Sequence, residues 1–492
     1  MSVETSPVPV LPASAVTASR AACSQVQSRL TVAAHTLLTI FLALAFLTPS
    51  WRQGPFTWWP LLTANLAGRP AQIGLLALLP LLAALLRVAA WMVRPARRDS
   101  MRFHAWRDAW PVLLPVIGFG ALTLLRLRPA VAPGMALIVL AGIGFFWLLT
   151  FWLAQAPAAQ VMRWLSLLFA LVVLGQSTVG VVQFVRQDSA HLTFLGEPAL
   201  DPRVEATSVV GPEGQHRLRA YGLTAHPNVL GGLLSIGLLW IMAGWLAGVP
   251  WPRVSPAIST VLWLVIGAVG LMGLLVSFSR AAWLGFGVGA AWLFWRQRRA
   301  WLRSRWLLLG MLLGVIFFVW RQPDLLWTRF FDLTSPLEAR SISERVSGLI
   351  AAAGLIRDQW LLGVGSGLYA MTLVPGASPP VVHNAPLLAA AELGVGGGLL
   401  WLWLNGAWLV GLRRGHAAQG SAALALFDAV SACWLALFVC GLFDNYPWLT
   451  SSWRAAMLLG LLAGALIASL RAATPGNGDQ DPQSNMRSAA KS

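Results

Sequence analysis

Residues 258–296 read ISTVLWLVIGAVGLMGLLVSFSRAAWLGFGVGAAWLFWR. Two apolar runs, 258–278 and 281–296, flank one polar pair, Ser279-Arg280. A helix rises about 1.5 Å per residue and the hydrocarbon of a bilayer is about 30 Å thick, so runs near this length read as membrane-spanning helices. A charged side chain between two such runs is costly unless it is paired or wet, and an intramembrane ionisable group is a functional candidate by default.

The rest of the chain extends this pattern. Of 492 residues, 57% are hydrophobic and 11% charged, a composition outside the range of soluble domains. A hydropathy window gives about twelve spans, at 31–49, 71–93, 109–128, 133–154, 160–185, 226–248, 258–278, 281–296, 304–320, 384–411, 422–443 and 449–471. The expected fold is therefore an all-α polytopic integral membrane protein occupying residues 31–471, between disordered cytoplasmic tails at 1–30 and 472–492. The 27 Trp against 3 Tyr imply a tryptophan belt at the interfaces.

The net charge is +17 and Lys491 is the only lysine, so the basic excess is arginine. With the N-terminus inside, Arg94, Arg97, Arg98, Arg102, Arg107, Arg253, Arg296, Arg298, Arg299, Arg303, Arg305, Arg413 and Arg414 all fall in inner loops. The outer loops, 186–225 and 321–383 being the long ones, hold nearly all the acidic residues. The charge is thus accounted for by topology, and no soluble basic domain exists to bind nucleic acid. Cys23, Cys433 and Cys440 form neither a disulfide framework nor a metal-ligand spacing.

On that topology three polar motifs open helices that start on the outer face. The first is RLRAYGLTAHPN, Arg217 to Asn228, containing Arg219 and His226. The second is Ser279-Arg280. The third is HNAPLLAAAELG, which places Glu392 about 12–13 Å deeper than His383-Asn384 by helical rise. Helix N-termini carry positive dipole ends, and arginine forks bind phosphate oxygens in pairs, so the convergence suits a phosphorylated ligand. Histidine titrates near neutrality, which fits His383 to general-base work on a hydroxyl. Glu392 is expected to hold an arginine such as Arg280 or Arg345 in place. In the second long loop, Val346, Leu349, Ile350, Ala353 and Ile356 recur at helical spacing, predicting an amphipathic interfacial helix before a Gly-rich turn. Asp444-Asn445, at the outer end of the eleventh span, could line the site, but reads better as a cap or turn; Gly363 to Gly367 lacks the lysine of a phosphate-binding loop; Asp479-Gln480-Asp481 lies in the tail.

Taken together these motifs resemble the O-antigen ligase and polymerase family of bacterial membrane glycosyltransferases. Arg219 to Leu223 fits the family's Arg-x3-Leu pattern followed by HPN, Ser279-Arg280 its middle-helix Ser-Arg, and His383-Asn384 with Gly394-x2-Gly397 its ligase pattern. The resemblance implies a ligase that moves a glycan from undecaprenyl pyrophosphate to a lipid, glycan or protein acceptor, without metal or other cofactor, at the outer face of the bacterial inner membrane. It implies catalytic roles for His383, Arg280 and Arg219, and substrate contacts from Arg217, His226, Asn228, Arg345, Asn384 and Glu392. Other readings are a polysaccharide polymerase or O-linked oligosaccharyltransferase of the same family, or a transporter or lipid-carrier flippase without chemistry. Against transport, the polar motifs gather at one face rather than the membrane midplane, and no matching halves are visible.

Overall fold

The computed structural model describes residues 13–47, 60–66, 69–74, 78–92, 110–129, 131, 133–195, 197–204, 207–212, 214–249, 251, 254–303, 305–332, 335–369, 381–409, 421–446 and 453–472. Helices dominate them: α1 (Ala13–Phe46), α2 (Leu78–Met92), α3 (Trp110–Leu125), α4 (Pro133–Ala154), α5 (Ala158–Arg186), α6 (Pro227–Leu246), α7 (Pro256–Val276) and α8 (Arg280–Arg296). After a helical turn at Arg298–Arg303 come α9 (Arg305–Arg321), α10 (Pro323–Phe330), α11 (Pro336–Asp358), α12 (Ala385–Leu393), α13 (Val395–Gly406), α14 (Ser421–Phe443) and α15 (Trp453–Ala472).

Six described helices are long and apolar enough to cross a membrane, or seven if the α9–α10 pair is one bent span. Several expected spans fall short of that length: α2, α3, α8 and α9 have 15, 16, 17 and 17 residues. The expected tenth span, 384–411, is broken in two at Gly394, whose φ of +77° no helix tolerates. Three further details depart from the sequence reading. Helix α1 starts at Ala13, so residues 13–30, expected as a disordered tail, are helical. Residues 71–74, expected to begin the second span, belong to an antiparallel hairpin, β1 (Pro60–Leu66) with β2 (Arg69–Gly74). A second, two-residue pairing joins β3 (Val209–Val210) to β4 (Arg217–Leu218). The tail expected at 472–492 lies outside the described residues beyond Ala472.

Helix α6 is central: 83% of its most apolar stretch is buried, against 39% for α7. It packs on α5, α7, α8 and α14. Lipid chains are as apolar as leucine, so close backbone approach must drive such packing. Glycines at four-residue spacing supply it. A Cβ on Gly285 or Gly289 of α8 would lie 2.8 Å from the Ala436 or Ala432 carbonyl oxygen of α14. Gly460 and Gly464 of α15 bring the Phe146 and Thr150 carbonyls of α4 as near, at 2.7 Å each. At the end of α8 opposite Arg280, buried Asp428 accepts from Arg296 Nε at 2.9 Å and from Gln297 Nε2 at 3.2 Å, pinning α8 to α14. These clasps fix where Arg280 stands.

The amphipathic helix expected in the second long loop is α11. Ser335 caps it by accepting from the Glu338 backbone N–H. Its inner face packs so tightly that a Cβ on Gly348 would lie 2.2 Å from the Val381 carbonyl oxygen, beside the segment leading to His383. Ile342, Val346, Leu349 and Ile350 stay exposed along the neighbouring face.

Candidate active site

The apolar run quoted at the outset breaks at Ser277-Phe278-Ser279, with Phe278 in left-handed backbone at φ +47°. Such a conformation is rare for a bulky residue and turns the chain sharply. It exposes the Ser277 and Phe278 carbonyls, and two buried arginines take them. Arg219 Nε donates to Ser277 O at 3.0 Å, and Arg329 Nε to Phe278 O at 3.1 Å.

Around this break the three sequence motifs meet. Arg219 also donates to Asn228 Oδ1 at 2.8 Å, and Asn228 Nδ2 donates to Asp444 Oδ2 at 2.7 Å. Asp444 Oδ1 accepts from the Asn445 backbone N–H at 2.8 Å and lies 3.6 Å from His383 Nδ1. A relay thus runs Arg219, Asn228, Asp444, His383. Asp444 is only 4% exposed. Burial alone would raise its pKa, but the adjacent His383, and then His226, lower it, so the carboxylate stays ionised at neutral pH.

A second group lies alongside. Arg280 NH2 meets Glu338 Oε2 at 3.0 Å, and Arg280 NH1 donates to the Arg329 carbonyl at 2.9 Å. Arg329 NH1 pairs with the other Glu338 oxygen. Arg345, half-buried on α11, makes no hydrogen bond or ion pair among the described residues. Burial lowers its pKa first, and Asp444, Arg280 and Glu338 are the charges that act on it, which places it at the same site. Four guanidiniums therefore face two carboxylates. Burial, then the charge of Arg329, drives the Arg219 pKa well below the usual guanidinium value. Arginine keeps its proton in proteins, so the cost appears as an unmet demand for negative charge.

Other expected residues take different places. His226 caps α6: its Nδ1 accepts from the Asn228 N–H at 3.1 Å, leaving Nε2–H for Ser208 Oγ at 3.1 Å. Both nitrogens are engaged, and burial, then Arg219, lowers its pKa to about 4, so it is neutral at pH 7 and supports the site rather than titrating in it. Asn384 caps α12 through Leu387 N and donates to Leu442 O, which holds His383 beside the end of α14. Arg217 lies over the Phe184 ring at 4.9 Å, not in the arginine cluster. Glu392 requires a correction. The carboxylate that holds Arg280 is Glu338; buried Glu392 accepts from Gly367 N at 3.0 Å and ties down the Gly363–Gly367 turn. A Cβ on Gly363 would lie 2.4 Å from the Glu392 carbonyl carbon, so that turn needs glycine.

Sequence reasoning ranked one member too low and missed two. Asp444 reads better in sequence as a cap or turn than as a site residue, whereas it is the hub of the relay. Arg329 and Glu338 were not singled out, although Glu338 at the third position after a serine cap is a legible helix-start signal. Among the described residues no three His, Cys, Asp or Glu side chains gather as a metal site would require.

Residues 261–402 match a family model described as O-Antigen ligase. The matched stretch contains Arg280, Arg329, Glu338, Arg345 and His383, while Arg219, Asn228 and Asp444 lie outside it. No curated protein matches the sequence. Among solved structures, a chain from "Structural coordination of polymerization and crosslinking by a peptidoglycan synthase complex" is 17% identical, with a TM-score of 0.38, over 73% of this chain and 96% of that one.

Proposed function

From the match of residues 261–402 to the O-antigen ligase model, we propose that this chain transfers a glycan from a lipid pyrophosphate to an acceptor hydroxyl. One observation carries the reading: four arginines with only two carboxylates converge beside His383, whose Nδ1 is backed by a buried, ionised Asp444. That is a site for an anionic leaving group next to a base.

The chemistry follows from the geometry. The acceptor oxygen attacks the anomeric carbon of the donor sugar. Its proton passes to His383 Nε2, because Nδ1 faces Asp444. The bond between the anomeric carbon and the phosphate oxygen breaks, and the electron pair leaves with the pyrophosphate. Attack opposite the leaving group inverts the anomeric centre. Arg280 and Arg345, the less encumbered guanidiniums, bind the departing charge, with Arg219 and Arg329 behind them. Such prepositioned donors act where charge develops and need no reorganisation. Asp444 holds the imidazole in register and stabilises its protonated form, as a carboxylate does behind a catalytic histidine. The guanidiniums supply the charge stabilisation that a metal gives elsewhere, so the transfer is metal-independent.

In this account the carrier is undecaprenyl pyrophosphate, the protein spans the inner membrane about twelve times, both termini are cytoplasmic, and the site faces outward. Among acceptors the His-Asn pattern favours a ligase over a polymerase or protein transferase. A His383→Ala variant tests the proposal against transport. It should bind lipid-linked donor as the wild type does while transfer falls about 10²–10⁴-fold, the usual contribution of a positioned base. Unchanged glycan movement would support a carrier instead.

A further inference from the structure

Away from the arginine cluster, a cavity of about 440 Å3 opens between the loop preceding α6 and the start of α10. Gln187, Gln215, His216 and Arg217 form one wall, and Arg321 and Asp324 the other. The volume suits a small ligand. The lining does not suit an apolar one: two guanidiniums, an imidazole and several amides surround a single carboxylate.

One of the two guanidiniums is held in place and the other, among the described residues, is free. Arg217 lies over the Phe184 ring, and its NH2 donates to the Phe184 carbonyl at 3.4 Å. That contact fixes the guanidinium and leaves its remaining donors for a ligand. Arg321 stands at the 87° bend between α9 and α10 and has neither a hydrogen bond nor an ion pair from its side chain among the described residues. Asp324, three residues on, does not neutralise it.

Both walls of the cavity lie close along the chain to residues of the transfer site. Arg217 and Arg219 are next but one along the chain, a span of about 7 Å when extended. Asp324 and Arg329 are five residues apart on α10, about 7.5 Å along the helix axis. A short saccharide attached at the transfer site reaches that far.

We propose that this cavity binds an acidic sugar of the transferred or accepting glycan, one carrying a carboxylate or phosphate. The proposal rests on the transfer reading and names a substrate class for it. Arg217 and Arg321 take the anionic group through paired N–H donors, and the Gln215 amide meets a hydroxyl.

The test uses the full chain in nanodiscs and two probes, a glucuronate-containing hyaluronan tetrasaccharide and the neutral maltotetraose. The acidic probe should bind and the neutral one should not. Arg321→Gln should weaken the acidic probe about tenfold or more, as expected for losing a charge-assisted hydrogen bond. Asp324→Asn should strengthen it. Arg321 is exposed, so its variant should fold; Arg217→Gln, which also loses the Phe184 contact, is read only if its melting temperature holds. Equal binding of both probes, no binding of the acidic one, or indifference to Arg321→Gln overturns the proposal. In turnover, Arg321→Gln should raise KM and spare kcat: a rise for the donor places the acidic sugar there, a rise for the acceptor places it on that side, and no rise in either counts against the cavity. Wild-type transfer with those negative results would leave the active-site reading standing. Binding to the cavity without transfer would overturn only that reading.

Discussion

Asp444 shows how much one residue's meaning depends on what folds against it. In sequence it follows an apolar run and precedes Asn445 and Tyr446, which is what a helix end looks like. In space it accepts from Asn228, which is 216 positions away, and faces His383. No local pattern encodes that meeting. Replacing Asp444 by Asn keeps the shape but removes the charge behind the imidazole. Transfer should fall about 10²-fold with donor KM little changed, measured by steady-state kinetics; an unaltered kcat would remove Asp444 from the mechanism. His226 yields the opposite kind of prediction. Its pKa is about 4 in the fold against 6.5 for a free imidazole. Between those values the unfolded chain takes up a proton that the folded one refuses, so stability is retained above the upper value and lost as pH falls toward the lower. The apparent melting temperature should drop across that window, and His226→Asn, still able to cap α6, should drop less. Equal slopes would contradict the neutral, buried assignment.

Among elements, the α10–α11 pair matters most. Helix α10 turns 87° from α9 and carries Arg329 inward; α11 begins at Pro336 and brings Glu338 to both Arg329 and Arg280. Glu338 acts as a counter-ion for two cations in the absence of substrate. Removing one partner of a buried ion pair costs about 3–5 kcal/mol, somewhat less here because Arg280 is partly exposed. Glu338→Gln should therefore lower the melting temperature, and inorganic pyrophosphate should raise it more in the variant than in the wild type. No extra gain with pyrophosphate would mean that the arginines are not an anion site. Helix α11 was legible from its apolar spacing, but its role was not. The periodicity reports mostly the exposed face, Val346, Leu349 and Ile350, while Glu338 and Gly348 are buried on the inner side. Helix α12 illustrates the converse. The sequence treated 384–411 as one span because apolar and small residues dominate it despite Glu392 and Asn405, and only the backbone angle at Gly394 reveals the break.

At the scale of the molecule, composition and hydropathy were sufficient to give a helical membrane protein and most helix limits within a few residues. The reason is that lipid forces long apolar segments to satisfy their own backbone hydrogen bonds. Departures fall where that constraint relaxes: the β1–β2 hairpin, the short helices α2 and α3, and the early start of α1. The motifs at Arg219 to Asn228, Ser279-Arg280 and His383-Asn384 were also readable, because each leads into a helix start. The partners that make them a site come from the ends of other helices and had to be seen in place. The central claim, transfer with pyrophosphate as leaving group, is tested most directly by purified protein, native lipid-linked glycan and an acceptor, with EDTA present. Release of undecaprenyl pyrophosphate should match formation of the glycan conjugate in the wild type. It should fall about 10²-fold or more in Arg280→Ala and His383→Ala. Glycan transfer that proceeds equally in both variants, or no pyrophosphate release with any envelope acceptor, would contradict the account.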